Sequence, residues 1–311
     1  MLYVTFHGYK PEVDSRTNNV HAYDKDGNRL TTSVLNHKNG IVLSELRGVY
    51  LFGKYLYVVN ANNTQNSVLC YEGSGLKYRF VGKFITREGS PATVHPFDLA
   101  FDDAGFCYLS SQDTNVVTRL TLTKHGKVGV PADIAPALPA HGKFSPGTFV
   151  ASSVSLDPPS TPVPPPAGLK YSGRGQKKHS VRGVAWANGA LYVADQPAGR
   201  IKVYDRQGKF LGQSNRVETP VHLVTYKGSL YVSGGGGLYA AKLPDPPGDF
   251  RFSAVRGVNV KNSGGMTFTD SGHLYLASRT RKRILKFDSE FKQIKDFQIH
   301  LHDDPEFLLH V

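Results

Sequence analysis

Ser180–Gly212 reads SVRGVAWANGALYVADQPAGRIKVYDRQGKFLG. It holds an apolar run of small residues, an Asn188-Gly189 turn, a second apolar run through Tyr192 and Val193, and a polar loop. An alternating run follows, with Ile201 and Val203 set against Lys202 and Tyr204, and a Gly208 turn leads into Phe210. Short apolar runs bounded by turn chemistry are the pattern of antiparallel strands joined by hairpins. The stretch therefore predicts one four-stranded sheet of about forty residues.

With Tyr192 as a ruler the unit recurs. LYVTFHG at Tyr3, LYVVNAN at Tyr57, CYLSSQD at Tyr108, LYVADQP at Tyr192, LYVSGGG at Tyr231 and LYLASRT at Tyr275 give six copies. An innermost strand precedes each tyrosine (LRGVYL, PFDLAF, VRGVAW, PVHLVTY, GGMTF) and a more peripheral strand follows it. The Tyr3 copy alone lacks the preceding strand, and PEFLLHV at Pro305–Val311 supplies it from the far end. A repeat split between the termini closes a ring and leaves no large open edge. The expected fold is an all-β, six-bladed β-propeller in which the C-terminal strand pairs with the N-terminal one.

A chain of 311 residues buries about three quarters of its unfolded surface and needs no external staple, so residues 1–311 read as a single domain. Cys70 and Cys107 fall on different strand types of neighbouring units and read as buried free thiols, a disulfide being the alternative. No apolar run approaches the ~20 residues of a membrane span, and Leu2 is already a strand residue. The default expectation is a cytoplasmic protein, or a secreted one where a leader has been removed.

The Tyr108–Tyr192 interval is far longer than the others, and its surplus, about 135–178, is rich in proline and ends in the basic run LKYSGRGQKKHS. Such composition favours extended chain. By position this insert overhangs the mouth of the ring, as a lid or as a surface excursion. The third unit's outer strand is expected near Val128–Ile134.

A net charge of +12 points either to a solvated basic face or to an anionic partner, an acidic small molecule or an acidic protein surface. Nucleic acid is a weaker alternative, because aromatic platforms interleaved with base-reading side chains are not evident.

The strings PFDLAFDDAGFCYLSSQDTNVVTRL and VRGVAWANGALYVADQPAGRIKVYDRQG resemble the NHL repeat and its six-bladed propeller relatives. The resemblance implies the fold and leaves function open, since this architecture hosts lyases, lactonases, scaffolds and RNA-binding domains. One relative, peptidyl-α-hydroxyglycine α-amidating lyase, holds its metal with histidines that follow the proline at the start of inner strands. The matching positions here are Glu306, Arg47, Phe97, Arg182, Val221 and Gly264, none of them histidine. His222 lies one residue out of register, which on a strand turns it to the opposite face.

Those six positions and the loops after the ruler tyrosines should line the axis. Arg47 and Arg182 share an R-G-V context, and planar guanidinium groups suit a carboxylate or phosphate. Glu306, on the adjacent blade, can instead neutralise Arg47. The candidate ligand-binding residues are Arg47, Arg182, Glu306, Phe97, Asn60, Asp113 and Arg279. Asp113, Asn60 and Asn62 offer oxygens to a divalent cation, the one cofactor considered. His7, His179 and Asp195 are the candidates for proton transfer, although Asp195 also suits an Asx turn that ties down its loop. Two functions are expected: a binding or scaffolding propeller for an acidic partner or ligand, or a lyase or hydrolase of a small carboxylated substrate in the central funnel.

Overall fold

The structure, a computed structural model, describes residues 1–8, 18–36, 40–62, 64–86, 93–113, 116–121, 148–151, 181–196 and 198–311. Its hairpins are closed by their own side chains. After Tyr204, Asp205 Oδ1 accepts from the backbone N–H of Gln207 (2.9 Å) and Lys209 (2.8 Å), while Gly208 takes φ 84°. Only glycine enters that left-handed region without strain. The same carboxylate turn recurs at Asp24, Asp102 and Asp288.

Strand pairing gives five four-stranded sheets and one five-stranded sheet, numbered here as blades in chain order. Blade 1 joins Pro305–His310 to Leu2–Phe6, His21–Tyr23 and Arg29–Thr31. Blade 2 is Leu46–Phe52, Tyr55–Asn60, Ser67–Ser74 and Lys77–Thr86, with Leu35–Asn36 added in parallel outside the last. Blade 3 is Pro96–Phe101, Phe106–Ser111, Val116–Thr121 and Thr148–Ala151. Blade 4 is Val181–Ala187, Ala190–Asp195, Arg200–Tyr204 and Phe210–Gln213. Blade 5 is His222–Tyr226, Ser229–Gly234, Gly237–Lys242 and Ser253–Ala254. Blade 6 is Ser263–Phe268, Leu274–Ser278, Arg283–Phe287 and Gln293–His300.

The chain is a six-bladed β-propeller closed as expected, with Tyr3 opposite Leu309 and Val4 opposite Leu308 in an antiparallel register. The expected outer strand at Val128–Ile134 lies outside the described residues. The fourth position of blade 3 belongs to Thr148–Ala151, which pairs with Val116–Thr121, so part of the sequence assigned to the insert completes a sheet. The rest of the insert also lies outside the described residues. Cys70 and Cys107 are buried free thiols. Among the described residues no helix is long and apolar enough to cross a membrane.

The first strand of each blade touches the first strand of the next, all round the ring. That contact is close enough to dictate residue type. A methyl group at Gly183 would lie 2.8 Å from Val221 O and 2.9 Å from His222 Cα; one at Gly265 would lie 2.5 Å from Phe307 Cα. Gly48 meets Asp98 in the same way. Blades 2, 4 and 6 thus contribute glycine where blades 3, 5 and 1 contribute Asp98, His222 and Phe307. The larger partners also bond outward. Asp98 Oδ2 accepts from Val184 N (3.0 Å), and His222 Nδ1 accepts from Met266 N (3.1 Å).

Between blades the ruler tyrosines pack: Tyr3, Tyr57, Tyr108 and Tyr192 are fully buried. Each buried ring contributes about 3 kcal/mol of transfer free energy before conformational cost. Tyr108 also donates to Asp102 Oδ2 (3.1 Å).

Burial raises the Asp98 carboxyl to about 7, against the two backbone N–H groups that favour its charge. A carboxyl raised above its unfolded value binds its proton more tightly when folded, so its contribution to stability is full below about pH 4 and lost as pH rises through 7. Asp98→Asn should remove that loss, on the order of a few kcal/mol between pH 4 and 7. Urea melts of both proteins across this range check it; parallel pH profiles would show that Asp98 titrates normally.

Candidate axial site

Where the first strands begin, the pairing registers skip at Arg47-Gly48, Phe97-Asp98, Arg182-Gly183, Gly264-Gly265 and Glu306-Phe307. A bulge of this kind re-aims one side chain of the pair. In each step the second residue makes the contact between blades and the first faces the axis, where Arg47, Arg182 and Glu306 join a polar cluster, Phe97 lies beneath it and Gly264 leaves a gap.

Glu306 anchors that cluster. Its Oε1 lies 2.9 Å from Arg47 Nη1 and 2.7 Å from Arg279 Nη2. Burial alone would raise its pKa, but Arg279 and Arg47, with His7 and Arg182 behind them, outweigh burial and hold the carboxyl below its ordinary value. Arg47 is 3% exposed and also meets Glu45 Oε2 at 3.2 Å. It is pinned from two sides. Arg279 remains about one-third exposed (31%). It reaches the axis because blade 6 has glycine there: a methyl group at Gly264 would press on Arg279 Cγ at 3.1 Å and Cδ at 3.2 Å.

Arg182 differs in its partners. Its guanidinium lies 4.9 Å over the Phe97 ring, Nε donates to Gln196 Oε1 (3.2 Å), and Nη1 donates to Gln112 Oε1. Enclosure by protein, then the Arg47 and Arg279 charges, lower Arg182 to about 9; Glu306 and Asp113 oppose the shift without cancelling it. His7 lies among the same charges: burial and then Arg47 lower it to about 4, so its imidazole is neutral at pH 7.

Around this core stand Glu45, His95 and Asp113. His95 Nε2 is 3.4 Å from Glu45 Oε2, and its Nδ1 is 3.7 Å from Asp113 Oδ2. Glu45 (φ 51°), His95 (φ 50°), Thr219 (φ 41°) and Asn262 (φ 51°) all hold left-handed backbone two residues before the axial position of their blades. Beneath the charges lies an apolar floor, with the Phe97 and Phe307 rings 5.1 Å apart and His222 against Phe307 at 4.7 Å. Burial lowers His222 to about 3 and leaves it an uncharged acceptor.

The predicted residues thus separate. His7, Arg47, Phe97, Arg182, Arg279 and Glu306 come together, with Asp113 at their rim. Asn60 instead accepts from Ser44 N (3.0 Å) and donates to Val42 O (2.9 Å), pinning the chain that enters blade 2. Asn62 closes its own turn by accepting from Thr64 N (2.8 Å) and Gln65 N (3.0 Å). Asp195 is buried against Lys202 Nζ at 2.7 Å and accepts from Ala198 N (3.3 Å). His179 lies outside the described residues. Among the described residues no group of three or more His, Cys, Asp or Glu side chains is placed to share a metal ion. Gln112 and Gln196 stand four residues after Tyr108 and Tyr192, the register that also places His7 and Arg279 after Tyr3 and Tyr275. Counting four from the ruler would have found Gln112; Asn60 and Asp195 stand three after it and point into their blades.

No protein-family model matches the chain, and no curated protein sequence matches it. Solved structures do. A candidate 6-phosphogluconolactonase from Bacteroides fragilis NCTC 9343 is 14% identical, with a TM-score of 0.60 over 100% of this chain and 97% of its own. A chain of a nidogen/laminin complex is 12% identical, TM-score 0.59, over 99% of this chain and 96% of its own. A functionally unknown protein from Desulfotomaculum acetoxidans DSM 771 is 11% identical, TM-score 0.56, over 96% and 89%. The likeness is one of fold.

Removing Glu306 while keeping its shape should be costly, because two guanidinium groups then share the axis without their common counter-charge. Glu306→Gln should lower unfolding free energy by about 3 kcal/mol. Chemical denaturation decides; a change below about 1 kcal/mol would mean the pair is worth no more than a surface one.

Proposed function

We propose that the chain is a binding propeller of the NHL type whose axial mouth seats an anionic ligand, with Arg182 and Arg279 as the contacting cations. One observation carries this reading. The guanidinium groups of Arg47, Arg182 and Arg279 gather and repel one another around the buried Glu306 carboxylate, and Arg279 remains about one-third exposed. An anion placed there gains charge-assisted hydrogen bonds and relieves the repulsion. Arg47, sealed between Glu45 and Glu306, supplies field rather than contact. The net charge of +12 favours capture of an acidic partner. A structural neighbour taken from a nidogen/laminin complex is a precedent for this fold in partner binding.

The second reading, a lyase or hydrolase of a small carboxylated substrate, is favoured by His7, a neutral imidazole within the field of Arg47, Arg279 and Glu306. It differs from the first by requiring turnover that falls when His7 is replaced.

Acetate, succinate, sulfate and phosphate are the probes. A ligand of the native state raises the melting temperature by mass action, and at least one of these anions should do so. Arg182→Ala should weaken that anion by about 2 kcal/mol, roughly thirtyfold. Gly264→Ala, which removes no charge but crowds Arg279, should weaken it about tenfold, the loss of one charge-assisted contact. No melting shift with any anion, or a shift untouched by Arg182→Ala, overturns the reading.

A further inference from the structure

The loop after the second strand of each blade opens at the mouth, and blade 6 fills that loop with charge. Blades 1 to 5 place His7-Gly8, Ala61-Asn62, Gln112-Asp113, Gln196 and Gly235-Gly236 there, whereas blade 6 places Arg279-Thr280-Arg281-Lys282, with Arg283 heading its third strand. The run is held as a turn. Lys282 N donates to Arg279 O (3.0 Å), and Leu301 N, just past the outermost strand, donates to Lys282 O (2.9 Å). Lys282 Nζ reaches His302 O (3.1 Å), and Arg283 stands opposite His300 in the sheet. Arg281 and Lys282 are exposed, and so is Lys261 in the chain that enters the blade.

The carboxylates of this region are engaged or set back. Glu306 is shared by Arg47 and Arg279. Asp303 is buried and accepts from Gly8 N (2.9 Å) and Asp304 N (2.7 Å). Asp304 is half-buried within the field of Arg279 and Lys282. Glu218 stands over Gly235 and Gly236 on blade 5, and Asp296 lies four residues before His300. Among the described residues none of them forms an ion pair with Lys261, Arg281 or Lys282. Solvated cations left without counter-charge attract acidic chain, and a run of carboxylates engages several of them at once. Single-stranded nucleic acid would also need rings on which its bases stack. Phe52 of blade 2 is the only aromatic ring exposed among the described residues, and it stacks on Phe101.

We propose that the mouth edge of blade 6, from Lys261 across Arg281 and Lys282, is a docking surface for an acidic segment of a partner protein, a run of Asp and Glu side chains. This surface is separate from the axial site and stands if that site falls.

Fluorescence anisotropy of labelled octaglutamate with the full chain tests it, with octaglutamine and deca-uridylate for comparison. Octaglutamate should bind, octaglutamine should not, and the affinity should fall as ionic strength rises from about 0.05 to 0.3 M. Arg281→Ala combined with Lys282→Asn should weaken octaglutamate about tenfold, each exposed ion pair being worth up to about fivefold. Asparagine is chosen because it tolerates the left-handed backbone at Lys282 (φ 48°). Removing two exposed lysines elsewhere, Lys77→Ala with Lys209→Ala, should change the affinity by less than about twofold, because distant charges are screened. Thermal melts confirm that the variants fold; if the first does not, Lys261→Ala, expected to cost about threefold, decides. Arg182→Ala should leave octaglutamate binding unchanged. No binding of octaglutamate, equal losses in the two double variants, or a loss in Arg182→Ala overturns the surface. Tighter binding of deca-uridylate through Arg281 and Lys282 overturns the protein partner in favour of nucleic acid.

Discussion

Six first strands can surround one axis only if neighbouring backbones approach to within a side chain's width. The molecule meets that constraint by alternation. Gly48, Gly183 and Gly265 leave the space that Asp98, His222 and Phe307 occupy on the next blade round. A polar residue forced into such a contact must find a partner or pay for its burial. Asp98 and His222 each find a backbone N–H on the adjacent blade, at Val184 and Met266. The contacts that close the ring therefore also fix the strand bulges, and the bulges decide which residues face the axis.

The same closeness accounts for the electrostatics of the mouth. Arginines brought together at low dielectric repel one another, and each carboxylate nearby becomes structurally valuable in proportion to its burial. Glu306 meets two guanidinium groups through one oxygen and is held ionised by them. Arg182, one blade beyond Phe97, is held by ring and amides. The partners of the charged groups thus differ from blade to blade around a ring whose backbone repeats.

Much of this was legible in the sequence because repetition makes register countable. The ruler tyrosine, the glycine turns and the split first repeat specify blade number and closure. The six first-tier positions follow from counting back, and Arg47, Phe97, Arg182 and Glu306 do meet. Counting forward was less secure, because one residue reverses the face. That is why Asn60 and Asp195 stood beside His7 and Arg279 as candidates, although their side chains serve the loops. Gln112 went unnoticed since a neutral amide has no chemistry of its own until a guanidinium is placed against it. The outer strand of blade 3 was misplaced for a different reason. Edge strands carry little periodic signal, and Thr148–Ala151 sits inside a stretch whose proline content reads as irregular.

In a closed ring of repeats, what the copies share and where they differ carry separate information. The buried tyrosines and Asx-type turns recur because every blade must solve the same packing and reversal problem. The axial positions run Glu, Arg, Phe, Arg, Val, Gly because nothing in closure requires them to agree. Solved structures between 11% and 14% identical share the fold. The chemistry of the axis is set by the second set, and by Gly264, whose missing side chain lets Arg279 cross to Glu306. The glycines on this axis thus divide into two kinds: those that let backbones touch, and one that lets a charge through.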